Sequence, residues 1–145
     1  MKKLLGVLST LILWAACSPS PKPITYGTDK CDFCRMTIVD PQFAAELVTE
    51  KGRVYKFDAI ECMGMYRLEE PGTGFAFLLV NDYLRAGTLQ PVTDCTFLIS
   101  PELPSPMGAN LSAFYVRDSA KVYQERKGGQ LYSWDALLAT FDQNK

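Results

Sequence analysis

Three sulfur side chains fall within one short run, Cys31-Asp32-Phe33-Cys34-Arg35-Met36. Thiolate and thioether are the soft ligands that select Cu(I), and thiolates also select Zn(II). Two thiols spaced C-x-x-C close either on one ion or on each other. A C-x-x-C redox pair normally opens a helix after a strand, where the helix dipole lowers the thiol pKa. No strand pattern precedes Cys31 and Met36 follows at once, so the spacing favours a metal over a redox pair. Met36 has a second reading as a gap-filling core side chain.

More sulfur lies downstream. Met63 and Met65 are two apart on a helical pattern, so at most one of them faces a given site. Cys62 is either a small core residue or a third thiol reaching towards Cys31 and Cys34. Cys95 alternates with Phe97 and Ile99 and reads as core. Met107 sits beside Gly108 in a loop stiffened by Pro101, Pro104 and Pro106, a setting suited to projecting a thioether. Linear or trigonal sulfur ligation suits Cu(I) and leaves the ion open to ligand exchange. A closed four-thiolate site suits structural Zn(II), and here it requires Cys95. The chain has no histidine, which removes every His-dependent triad and the usual imidazole sites. It also has no Gly-rich phosphate loop. The residues therefore point to a metal carrier and not an enzyme. Two alternatives stay open: a thiol–disulfide or structural-disulfide protein, and a structural zinc module for docking.

The positioning elements follow from pattern. The chain has 145 residues and a formal net charge of −1, enough for one ordinary domain or two very small ones. Without a basic cluster, nucleic acid is not expected as a partner. Lys2 and Lys3 precede an apolar run over 4–16, which reads as a signal peptide. Leu13-Trp14-Ala15-Ala16-Cys17 resembles a bacterial lipobox with Trp14 where leucine is usual, so Cys17 is the expected lipidation site. That places the protein in the cell envelope, facing the periplasm and anchored to a membrane. Residues 17–23, with Pro19, Pro21 and Pro23, form a semi-rigid tether.

Strands are expected over 43–49, 53–57, 75–83, 92–100, 112–117 and 130–133, with turns at Glu50-Lys51-Gly52 and Gly87. Helices are expected over 59–68, 119–127 and 134–141, capped by Asp58, Asp118 and Asp135; Glu61 would complete a capping box with Asp58. Val54-Tyr55-Lys56-Phe57-Asp58-Ala59-Ile60 matches Leu131-Tyr132-Ser133-Trp134-Asp135-Ala136-Leu137 almost type for type, and Val39–Asp58 and Val116–Asp135 are equally long. The echo predicts an α+β fold of two similar small halves, 24–86 and 87–145, each with short antiparallel strands and a helix.

The order of motifs resembles the NosL family. They run from the lipoprotein signal through Cys31-x-x-Cys34-x-Met36 to Gly52-Arg53-Val54-Tyr55-Lys56-Phe57-Asp58 entering a helix with Cys62-Met63. Ser105-Pro106-Met107-Gly108, Ala113-Phe114, Gly128-Gly129 and Trp134-Asp135 follow. The resemblance covers nearly the whole mature chain. It implies a periplasmic copper-chaperone lipoprotein that binds Cu(I) and delivers it for maturation of nitrous oxide reductase, to the apo-enzyme or a membrane-associated maturation complex. It also implies two α+β halves. By position it marks Cys31, Cys34 and Met36 as the cysteine–methionine motif and Met107 as the loop methionine ligand.

Overall fold

In the structure, a computed structural model, residues 18–143 are described. The expected signal peptide and the lipidation at Cys17 lie outside these residues. No helix among the described residues is long and apolar enough to cross a membrane.

Among the described residues, seven strands form two antiparallel sheets, and three α-helices pack with them. The first sheet has strands β1 (Ala45–Thr49), β2 (Val54–Phe57), β3 (Phe75–Asp82) and β4 (Arg85–Pro91), in the order β2-β1-β3-β4. The second has β5 (Thr96–Ile99), β6 (Leu111–Phe114) and β7 (Gln130–Tyr132), in the order β6-β5-β7. Helix α1 (Ile60–Glu69) follows β2, α2 (Arg117–Lys127) follows β6, and α3 (Trp134–Gln143) follows β7. The α+β architecture expected from the sequence is present. The expected division at 86/87 falls within β4, which pairs with β3, and the second sheet begins after a short 3-10 turn over Val92–Asp94.

The β1–β2 hairpin closes on Gly52, whose φ of +82° lies in the left-handed region that Gly reaches without Cβ strain. Its register sets Leu47 against Tyr55 and Ala45 against Phe57. Every residue of β1 is buried, so this central strand is covered on both faces. Gly87 also has a positive φ, +80°, but it makes no chain reversal. Asn81 pairs with Leu89 while the next residue, Asp82, pairs with Arg85, so the surplus residues of β4 are absorbed in a bulge.

The expected side-chain caps are not the ones used. Asp58 precedes the α1 N-cap residue Ala59, which caps without a side-chain bond, and the Asp58 carboxyl is drawn inward instead. Asp118 lies inside the first turn of α2, with Val116 at the N-cap. Before α3, the Ser133 hydroxyl accepts the Ala136 amide at 3.3 Å, which leaves Asp135 in the first turn as a favourable charge. The strand-to-helix junction of the internal echo recurs, as β2 into α1 and as β7 into α3. Upstream of it the equal lengths hold different structure: the first contains strand β1, the second contains α2.

One core runs through both sheets. Cys31, Leu47, Phe57, Met63, Val80, Phe97, Leu111 and Leu137 belong to a single buried cluster. Strand β5 is apolar on both faces: Phe97 joins this cluster, while Leu98 joins a smaller one with Leu103, Phe114 and Ala120 under α2. Helices α1 and α3 meet at Gly64, where the ring of Phe141 occupies the space a Cβ would need.

Gly129 links α2 to β7 with a φ of +98°, and any Cβ there overlaps the Ile99 carbonyl. Gly129→Ala is therefore expected to destabilise the protein by about 2 to 4 kcal/mol, because backbone strain and a backbone clash coincide. Denaturant unfolding of the variant against the parent protein checks this.

Candidate metal centre

The C-x-x-C segment folds as a small closed loop. An isolated bridge between Lys30 and Thr37 shuts its base. Inside it the Cys31 amide donates to the Met36 carbonyl at 2.8 Å, and the Arg35 amide donates to the Cys31 carbonyl at 3.1 Å. Arg35 makes the turn at φ +68°, a conformation that costs a non-glycine residue energy and is held by this bonding. The result aims backbone amides at sulfur: the Cys34 N–H points to Cys31 Sγ at 3.5 Å.

Asp32 fastens the loop to the edge of the first sheet. Its amide donates to the Lys56 carbonyl at 2.8 Å, and its carboxylate accepts the Lys56 amide at 2.7 Å. The Lys56 ammonium then bonds Asp29 and the Pro23 carbonyl, each at 2.6 Å, and draws the end of the tether onto the same edge. Cys31 and Cys34 are thereby held over β2 and the start of α1.

The second residue pair of α1 completes the centre. Cys62 Sγ joins those of Cys31 and Cys34, and all three sulfurs lie within 4.8 Å of one another. Cys31 and Cys62 are buried, and Cys34 is half-buried. Cys62, left between core residue and third thiol by the sequence, is thus a member of the cluster. An ion at the middle of such a triangle sits no more than about 2.8 Å from each sulfur. Thiolate bonds of about 2.3 Å then need only small side-chain movements. The donor set fits a thiophilic ion.

Cys95 is buried elsewhere and is not in this group, so a closed four-thiolate site does not form among the described residues. Met63 is buried in the core. Met36 and Met107 are surface side chains, 48% and 41% exposed. Met107 belongs to the second half of the chain, but its loop is tied to α1. The buried Ser105 hydroxyl donates a hydrogen bond to the carboxyl of Glu61, the residue before Cys62. Burial raises the Glu61 pKa and the Ser105 bond offsets part of that rise. This is why Glu61 cannot serve the capping box expected of it: its side chain is turned inward to the loop.

The electrostatics divide the thiols by role. Cys31 is lowered to about 5, chiefly by the Cys62 S–H donated to it, against the cost of burial, with further help from the amides of Asp58, Cys34 and Phe33. Cys62 is raised well above the ordinary thiol range because its proton serves Cys31 and because it is buried. Cys34 is raised mainly by burial. Asp58 is raised by burial and by the neighbouring Cys31 charge. A redox nucleophile needs its low-pKa thiol at the surface; here that thiol is the sealed one, and the accessible Cys34 is raised.

The apo, reduced protein is therefore expected to carry one thiolate at neutral pH. Its ultraviolet thiolate band should vanish in Cys31→Ser and titrate away as pH falls through about 5. A depressed folded-state pKa stabilises the fold fully above the unfolded thiol value. That stabilisation declines as pH falls towards about 5 and is absent below it.

Three comparisons bear on this geometry. A family model for NosL matches residues 22–140. The crystal structure of the copper chaperone NosL from Shewanella denitrificans superposes with a TM-score of 0.70 at 23% identity, covering 81% of this chain and 95% of that one. No curated protein matches in sequence. The match over most of the chain, on a fold whose cysteine loop and helix thiol converge, establishes that the protein is a member of the NosL family.

Proposed function

We propose that this protein is a periplasmic Cu(I) carrier, tethered to a membrane through a lipid on Cys17, that delivers copper for maturation of nitrous oxide reductase. The convergence of Cys31, Cys34 and Cys62 Sγ within 4.8 Å carries the metal part of this reading. An all-sulfur set without histidine or carboxylate among its members selects Cu(I) over harder ions. Three thiols without a fourth leave the ion coordinatively open, as a carrier requires and a structural zinc site does not. Met36 and Met107 add thioethers that ligate Cu(I) without a charge to desolvate. The solved relative from Shewanella denitrificans is a copper chaperone, and membership of its family supports copper as cargo.

Loading works on the thiols as they stand. Cys31 offers a thiolate already formed, the first bond to an arriving Cu(I). Cys62 and Cys34 then lose protons as they bind, so uptake releases protons and tightens as pH rises. Cys34 is half-buried and Met36 and Met107 are exposed, so these are the sulfurs an acceptor would reach first. The client follows from the family resemblance, and a nitrous oxide reductase apo-enzyme or its maturation complex is the partner to test.

Competitive Cu(I) titration of the reduced protein checks the assignment. The parent protein is expected to bind one Cu(I), and Cys31→Ser to weaken it by more than about 100-fold, beyond the range typical for loss of a supporting hydrogen bond. Unchanged affinity in Cys31→Ser, Cys34→Ser and Met107→Leu alike rejects the carrier reading. Copper removal should leave the fold intact and merely lower its unfolding temperature, whereas a structural zinc module unfolds without its metal.

The anchor is tested apart from the metal. The full-length protein should sediment with membranes, and Cys17→Ser should release it to the soluble fraction or leave it with an uncleaved signal. Membrane association of a Cys17→Ser protein whose signal has been cleaved argues against a lipid tether.

A further inference from the structure

Glu61 is a buried carboxyl with no basic partner among the described salt bridges, placed directly before a cluster thiol. Burying such a group is costly unless its bonds fix something. What it fixes is Ser105, forty-four positions away in sequence and also buried. Ser105 in turn organises the loop at both ends. Its carbonyl accepts the Gly108 amide at 3.0 Å, closing a four-residue turn over Ser105-Pro106-Met107-Gly108. Its hydroxyl accepts the Leu111 amide at 3.3 Å, fixing the point where the loop enters β6.

The turn has the chemistry its geometry asks for. Pro106 stands at the second position, where its fixed φ is pre-set, and Gly108 takes φ +79° at the fourth. Met107 is left at the third position, at the tip, with its side chain half-exposed. The thioether is therefore carried on a turn that the Ser105 hydroxyl bonds to Glu61 of α1, with the Ala109 amide of the same loop also turned to that carboxyl.

We propose that Glu61 and Ser105 are positioning residues for copper binding: their buried hydrogen bond sets the Met107 turn against the end of α1 that supplies Cys62, so that a thioether from the second half completes the thiol site of the first. This rests on the Cu(I)-carrier reading and on Met107 as a ligand. Neither residue touches the ion; both act through Met107.

A double-substitution cycle tests it on the reduced protein, with Cu(I) competition and X-ray absorption at the copper edge as readouts. Ser105→Ala is expected to weaken Cu(I) by about tenfold, the scale of a lost supporting hydrogen bond at a metal site. It should also remove the same sulfur scatterer as Met107→Leu. In a Met107→Leu background Ser105→Ala should cost nothing further. Glu61→Leu breaks the bond from the other side and should reproduce the loss. Glu61→Gln keeps a carbonyl acceptor for the Ser105 hydroxyl and should retain parental affinity.

The proposal is overturned if Met107→Leu weakens binding while both Ser105→Ala and Glu61→Leu bind as the parent does. It is equally overturned if Ser105→Ala costs the same with and without Met107, since the pair then acts on general stability. Parental affinity in Met107→Leu removes Met107 from the site and the positioning role with it. A parent protein that takes up no Cu(I) overturns the carrier reading itself.

Discussion

A sulfur anion shut away from water must find its hydrogen-bond donors in the protein. Cys31 is fully buried, and the donors it receives are the amides of Phe33, Cys34 and Asp58 and the S–H of Cys62. Each depends on a different piece of the fold. The Phe33 and Cys34 amides belong to the loop that Arg35 reverses in the left-handed region. The Asp58 amide is free because β2 has ended and the helical bonds of α1 have not begun. Cys62 arrives because the first turn of α1 is packed into the core between the two sheets. The Asp32–Lys56 clamp holds the loop to that frame. A cation entering the cluster would take over from the Cys62 proton, so the cluster already surrounds a charge that a cation can pair with.

Local features of this arrangement were legible in the sequence and long-range ones were not. Cys31 and Cys34 announce themselves because their spacing is a property of one loop. The hairpin at Gly52 and the three helices were legible because turn residues and apolar period are local too. Cys62 was ambiguous because its membership depends on which face of α1 meets the cysteine loop, and a helix with Ile60, Cys62 and Met63 all buried has no single apolar stripe to read. Glu61 and Asp58 misled for a related reason. At a helix start an acid reads as a cap, but these two are buried, one bonded to Ser105 and the other set beside Cys31. No local pattern separates a capping acid from a buried anchor. Gly87 read as a turn because positive φ is the common property of turns and bulges; only the pairing register tells them apart.

The internal echo was informative about the junction and less so about what precedes it. β2 into α1 and β7 into α3 use the same device, a short strand whose last aromatic leads into a helix. The two helices then pack on each other at Gly64, where the absence of a side chain admits Phe141. One junction delivers Cys62 to the thiol cluster. The other delivers Trp134 and Leu137 to the core beside Phe97. The same local solution thus provides chemistry on one side and a wall on the other.

That asymmetry bears on how the protein, on the proposed carrier reading, would give up its cargo. Its sulfur is graded by exposure: Cys31 and Cys62 buried, Cys34 half-buried, Met36 and Met107 at the surface. On the proposed Cu(I)-carrier reading, the anionic ligands are deepest, and the neutral thioethers, which bind Cu(I) more weakly, are outermost. An acceptor that presents its own soft ligands can displace a thioether without first removing a buried thiolate, and the ion can then change hands through shared intermediates without ever being free. On the same reading, protonation of Cys62 as the ion leaves would restore the S–H bond to Cys31, so the charge exposed by release would be met by a donor already in place.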